Sequence, residues 1–427
     1  MAMIKSLQRV LLLASCLWSV SACVDPIDLS IRGTTDLIVV DGTLTDLAEP
    51  QVIRLNRSFA DPVSGRFGTL PLTKATVAVL VDSVRVLACP ETEAGSYQLP
   101  NDFRGQVGHA YQLQFTLSSG ATYRSTQQVM PPVPPIDKLQ VEFNPQSLKG
   151  DRFGGVRAAH DAYLDLRDPP QTRNYYRWDW ALYERQEWCR SCFQGVYAVY
   201  NILPKTYMFG SYHVSGTTPY EACFTPPFNP DNDGPQAPSG DFYYDYNCRT
   251  ECWEIIRNYD LNLFDDELSN GGLISRRKVA QAPFLQRQGA LLRIRQASLT
   301  RDAYAYLKLL EQQSQNTGGL ADTPPSALVG NVQNSANSRD NVIGFFTASS
   351  AVYLDHWLDR KDAVGPAPGL FAALNDYREP SPEPSPPYTG ARPSPQILIW
   401  GGPPRVPTAV CVPSDTRTPV KPAGWRD

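Results

Sequence analysis

Proline limits what this chain can fold into more than any other residue. Thirty-eight of its 427 residues are proline, nearly double the average share of about 5%. Each one fixes φ and removes a backbone donor, and inside a helix its ring clashes with the preceding turn. Charged residues, at 19%, fall below the usual quarter. Together these features predict a mainly β protein of many short strands and ordered loops, with enough length for two or three cores.

The strands show as short β-branched or alternating runs bounded by Gly, Pro, Asp or Ser. Leu37-Ile38-Val39-Val40 leads to the turn signal Asp41-Gly42, and Gln51–Leu55 alternates. Ala75–Val81, Tyr97–Leu99, Ala110–Phe115 and Ala121–Arg124 continue the rhythm. This spacing predicts an N-terminal, immunoglobulin-like β-sandwich over residues 23–130. Pro131-Pro132-Val133-Pro134-Pro135 follows as a stiff extended linker, residues 131–135.

A larger β-sandwich domain is expected over residues 136–427. Alternation in Asn174–Tyr183 puts Tyr176, Trp178, Trp180 and Leu182 on one face, either as core or as an exposed aromatic platform. Leu291–Leu299 reads as a strand. Thr300 can then N-cap one short helix over about 301–315, with Ala303, Tyr306, Leu307 and Leu310 as its apolar stripe. Leu328–Val332, Val342–Ala348 and Gln396–Trp400 are further strand candidates of this domain.

Residues 187–254 form a distinct insertion, rich in cysteine and aromatics. Cys189, Cys192, Cys223, Cys248 and Cys252 fall within it, and Cys89 and Cys411 lie outside. In an oxidising compartment this is a local disulfide framework whose pairing spacing alone does not fix. Paired thiolates at Cys189-x2-Cys192 and Cys248-x3-Cys252 are also compatible with zinc. Tyr243, Tyr244, Tyr246 and Trp253 offer large amphipathic surface for a partner or a stacked ligand, or for packing within the insertion. Asn229-x-Asp231-x-Asp233-Gly234 matches the first half of a calcium loop, but Gly240 stands where the bidentate Glu belongs.

A net charge of -4 and a pI near 5.7 give no electrostatic footprint for nucleic acid. The four histidines, His109, His160, His213 and His356, lack zinc-protease spacing, and neither a Gly-x-Ser-x-Gly elbow nor a phosphate-binding glycine loop occurs. Asp265-Asp266-Glu267 is a carboxylate cluster that acid/base chemistry could use, but a solvated turn is the better reading of it. No enzyme activity and no cofactor are expected.

Lys5 and Arg9 precede the apolar run Val10–Val20, too short for a membrane span and suited to a secretory signal. Val20-Ser21-Ala22-Cys23 then resembles a bacterial lipobox, making residues 1–22 a signal peptide and Cys23 the lipidated first residue of the mature chain. Leu13–Cys16 is a weaker match that leaves too short an apolar run. Several acyl chains on one cysteine suffice for stable anchoring. Asp25 and Asp28 just beyond it resemble a surface-export signal.

The ordered set of the lipobox, Leu37–Gly42, Met130–Ile136, Ser298–Tyr306, Gly318-Gly319-Leu320, Pro324-Pro325, Gly330-Asn331-Val332 and Val342–Phe346 resembles the DUF4249 family of Bacteroidota outer-membrane lipoproteins. Members often carry two closely spaced cysteines before a Lys-Pro-x-x-Trp tail. Cys411 and Lys421–Trp425 match, but Thr416 replaces the second cysteine. The family is often encoded beside TonB-dependent transporters. The resemblance therefore implies an outer-membrane protein facing the exterior, a non-catalytic accessory subunit of a β-barrel partner. A structural subunit of an envelope assembly or secretion machine is the alternative, and a hydrolase a more distant one. Replacing Cys23 by Ser is expected to move the protein from the membrane to the soluble fraction; undiminished membrane association refutes the anchor.

Overall fold

The computed structural model describes residues 37–60, 67–150, 153–170, 172–198, 211–213, 241–269, 271–314, 328–337, 340, 342–380 and 408–427. The chain is mainly β, with five sheets and two α-helices, Arg301–Ser314 and Leu370–Leu374, among these residues.

Two six-stranded sheets share the first core. Strand Ile38–Thr45 is central to one of them, antiparallel to Val52–Ala60 on one side and parallel to Val342–Ser349 on the other. Its alternation sends Ile38, Val40 and Leu44 inward, where they meet Leu55, Tyr97, Leu113, Phe115 and Phe346. Each such side chain contributes about 1.5–3 kcal/mol on full burial. Asp41-Gly42, a turn by composition, lies inside this strand. A side chain at Gly42 would press on Phe346 and Ile53, so the glycine serves close packing rather than a turn.

The second six-stranded sheet is also completed from far along the chain. Val332–Asn334 pairs with Thr122–Ser125, and Val332, Val342, Phe346 and Ala348 belong to the first core. The division at residues 131–135 is thus where the chain leaves this core, not where the unit ends; residues 332–349 return to close it. Chain order and periodicity alone assign these strands to the C-terminal domain. An apolar pattern states which face of a strand is buried but not which sheet receives it.

The second core lies between a three-stranded sheet, Lys138–Asn144, Ala159–Arg167 and Leu273–Pro283, and a six-stranded one. In the latter, Tyr175–Arg185 is flanked by Ala290–Leu299 on one side and by Trp253–Arg257 and Asn262–Asp265 on the other. Tyr176, Trp178 and Leu182 face inward as the alternation predicts. Trp178 Nε1 donates to Gln296 Oε1 at 2.9 Å, and Gln296 Nε2 donates to the Pro134 carbonyl at 2.7 Å. Ser298 Oγ donates to the Pro131 carbonyl at 2.7 Å. The proline segment is therefore docked on strand Ala290–Leu299, its carbonyls satisfied by side chains as burial requires.

Beneath the sheet's far end, Glu184 and Arg360 form an ion pair with no exposed surface on either side chain. Arg360 also donates to the carbonyls of Gln286 at 2.6 Å and Gln288 at 2.9 Å. Burial pushes the Glu184 carboxyl up and Arg360 opposes it.

The two cores meet where one strand runs into the next. Val342–Ser349 ends in the first core and Ala351–Leu358 begins beside Ala290–Leu299. Asp46 clamps the crossing, accepting Ser350 Oγ at 2.5 Å and the Ala351 amide at 2.8 Å. Helix Arg301–Ser314 is capped by Thr300 Oγ1, which accepts the Ala303 amide at 3.2 Å. From this helix Tyr306 accepts the Gly344 amide at 3.1 Å. Gly344 has φ +98°, and a Cβ there would sit 1.8 Å from the Val40 carbonyl oxygen. Gly344→Ala is therefore expected to cost about 3–5 kcal/mol in urea unfolding. Gly68→Ala, with nothing within 4 Å, should stay within about 0.5 kcal/mol of the parent.

Candidate functional site

The root of the 187–254 region is braced by two disulfides and two arginine–carboxylate pairs. Strands Trp188–Ala198 and Asp241–Cys248 pair antiparallel, and Cys189 is bonded to Cys248 at their base. Four residues on, Cys252 is bonded to Cys411 across a sequence separation of 159. The two bonds are neighbours, with the Cys189, Cys252 and Cys411 sulfurs within 4.8 Å of one another.

The C-terminal segment wraps this root. Thr408–Ala409 pairs with Asn247–Cys248, and Arg417–Thr418 pairs with Trp253–Glu254. Arg417 Nε reaches Glu254 at 2.9 Å. Arg378 grips buried Asp245 at 2.6 and 2.9 Å. Trp253 meets Trp425 edge-on at 5.8 Å, and Trp425 meets Trp357 at 5.1 Å, each geometry worth roughly 0.5–1.5 kcal/mol beyond area.

Among the candidate residues, Cys189, Cys248 and Cys252 are half-cystines, so their thiolates are not zinc ligands in this oxidised form. Cys223 and the side chain of Cys192 lie outside the described residues, as do Cys23, the loop residues Asn229, Asp231 and Asp233, and the strand candidate Gln396–Trp400. The side chains of Tyr243 and Tyr244 lie outside them too. Tyr246 and Trp253 have no exposed surface. They are core aromatics of the braced root, not a stacking platform, because strand alternation turns both toward the packed side. Cys89 is a buried free thiol, pushed up to about 12 by desolvation.

Trp180 behaves differently from Trp178. It is half-buried and lines a cavity of about 130 Å³ together with Arg257, Tyr259, Asp260, Lys278 and Gln281. Tyr259 is 73% exposed at its edge. Lys278 Nζ lies 2.8 Å from Asp161 below. Burial opposes ionisation of Asp161, but hydrogen bonds from Lys278, Ser147 and Asn144 outweigh it and hold the carboxyl below its ordinary range. The volume falls short of the roughly 300–1,000 Å³ of ordinary ligand pockets.

The run Asp265-Asp266-Glu267 is split by the fold. Asp265 and Glu267 both accept from Arg173, at 2.5 and 2.6 Å, while Asp266 turns fully inward. His160 is buried with Nε2 3.1 Å from Asp362, and desolvation pushes it down despite that carboxylate. His109 pairs with Asp82 at the surface.

Sequence reasoning did not anticipate Arg378, Asp245, Arg417 and Glu254 as a set. Their partners are 133 and 163 residues apart, beyond the reach of any local pattern. The lone cysteine at 411 was the one signal that the C-terminal segment returns. Peptide mapping without reductant is expected to recover Cys189 linked to Cys248 and Cys252 linked to Cys411. The double variant Cys252→Ala, Cys411→Ala should lose about 2–5 kcal/mol of stability in denaturant unfolding.

No curated protein and no solved structure matches this chain. The family model DUF4249, a domain of unknown function, matches residues 24–353, a span that includes the strands closing the first core and most of those of the second. The chain belongs to the DUF4249 family.

Proposed function

We propose that this protein is a lipid-anchored outer-membrane lipoprotein that serves as a non-catalytic accessory or binding subunit of an outer-membrane β-barrel complex. The barrel is of the TonB-dependent transporter type, and the protein faces the cell exterior.

The observation that carries this reading is the pairing of a lipobox at Val20–Cys23 with a cysteine- and aromatic-rich region, residues 187–254, whose root is pinned by two disulfides. Disulfides persist in exported proteins and not in a reducing cytosol, which agrees with a chain delivered by a signal peptide. No helix among the described residues is long and apolar enough to cross a membrane, and in this reading the acyl chains on Cys23 supply the attachment.

The two cores then act as a scaffold. They hold the root of the 187–254 region and the Trp180–Tyr259 cavity in place, so that a partner meeting them loses less conformational entropy on binding. The cavity's mixed charges, Arg257, Lys278 and Asp260, set orientation in such a contact.

Affinity purification of the full-length protein after mild detergent extraction is expected to recover a TonB-dependent barrel in stoichiometric amount. Recovery of the protein alone, even after crosslinking, overturns the proposal. Recovery with an assembly or secretion barrel instead would assign it to the envelope machinery.

A further inference from the structure

The inner end of the Asp265–Glu267 turn holds an arrangement that none of the foregoing uses. Asp168 follows strand Ala159–Arg167, Asn174 precedes strand Tyr175–Arg185, and Asp266 follows strand Asn262–Asp265. Asp168 and Asp266 have no exposed surface. No Lys, Arg or His pairs with either carboxylate among the described residues. Two buried carboxylates in contact without a cation are among the costliest arrangements a core can hold.

Five oxygens converge here on one atom. The Asn174 side-chain nitrogen lies 3.0 Å from Asp266 Oδ2, 3.0 Å from the Thr172 carbonyl, 3.2 Å from Thr172 Oγ1, 3.3 Å from the Pro169 carbonyl and 3.4 Å from Asp168 Oδ1. An amide NH₂ has two hydrogens to donate, so most of these oxygens are gathered beyond what the amide can satisfy. Asp266 Oδ1, in the same fully buried side chain, meets no amide, hydroxyl or cationic donor among the described residues, and the Asp266 carboxyl shares a hydrogen bond with that of Asp168. Asp168 is held in place by Tyr176, which donates at 2.6 Å, and by the Gly271 amide at 3.0 Å.

We propose that Asp168, Asp266, Asn174 and Thr172, with the Pro169 carbonyl, form a calcium site. Two carboxylates, two backbone carbonyls and a hydroxyl make five hard oxygen donors, and the ion takes the place that the Asn174 side-chain nitrogen now holds, so that the Asn174 side chain swings aside and presents Oδ1 as a sixth. Calcium takes six to eight such ligands at about 2.3–2.6 Å, shorter than the present distances to that nitrogen. The ion's charge compensates both carboxylates. Thr172 is exposed, which opens a path for entry. Soft or nitrogen-seeking metals find no thiolate or imidazole here. The site is separate from the Asn229–Asp233 loop.

Full-length protein in detergent, stripped with EDTA, is titrated with CaCl₂ while its melting temperature and the heat of binding are followed. One calcium should bind with an affinity of about 10⁻⁴–10⁻³ M, typical of extracellular modules, and saturation should raise Tm by roughly 2–6 °C. Asp266→Asn should abolish the shift while melting at or above the parent in EDTA, because it removes the carboxylate repulsion. Thr172→Val, at an exposed position, should weaken calcium binding several-fold. Absence of any calcium shift in the parent, the result for two carboxyls that share a proton, overturns the proposal. So does a shift that survives Asp266→Asn, above all if Asp231→Asn removes it. Should Asp266→Asn fail to fold, unchanged calcium affinity in Thr172→Val overturns it equally.

Discussion

The parallel ladder between Ile38–Thr45 and Val342–Ser349 is the constraint on which the rest of the structure depends. It pairs residues about 300 positions apart in sequence, and the strand that makes it runs within two residues into the second core. Closing such a loop costs entropy that grows only slowly with its length. The return must come from burial: Val342, Phe346 and Ala348 are all inside the first core. Gly344 allows the close approach, with a backbone conformation that L side chains rarely adopt.

Polar contacts then fix how the two cores sit on that ladder. Asp46 holds the Ser350–Ala351 crossing, and Gln296 and Ser298 hold the carbonyls of the proline segment. These groups are buried or half-buried, so each is costly if left unpaired and specific when paired. The proline segment illustrates the point. Its four prolines lack amide donors, which keeps them out of a sheet interior, yet the carbonyls of Pro131 and Pro134 still need partners and find them on one strand. A segment that composition makes a spacer is in this way a docked element between two cores.

The braced root of the 187–254 region follows the same logic at its own scale. The Cys189–Cys248 disulfide and the Arg378–Asp245 pair brace it, and the Cys252–Cys411 disulfide, the Arg417–Glu254 pair and the Trp253–Trp425 contact tie it to residues 408–427. The aromatics that composition marks as a binding surface are partly consumed in this bracing, as Tyr246 and Trp253 show, whereas Trp180 keeps one side open to a cavity. Aromatic content alone does not separate the two roles, because a ring that is useful at an interface is equally useful in a core.

The sequence by itself determined the mainly β class, the position of most strands, the capped helix after Thr300, the inward face of Tyr176, Trp178 and Leu182, and the family. These follow from local physics: proline's missing donor, the two-residue period of a strand, a hydroxyl before a helix. Tertiary structure alone decided that residues 332–349 close the first core, that Cys252 finds Cys411, and that Asp168 and Asp266 bring their oxygens to the Asn174 side-chain nitrogen. Each of these joins residues that are distant along the chain, and a residue's own pattern states which side it buries while leaving open what it will meet there. The Asp265-Asp266-Glu267 run shows the division within three residues. Composition makes it a solvated turn, which Asp265 and Glu267 are, and only the packing of two other strands turns Asp266 inward against Asp168.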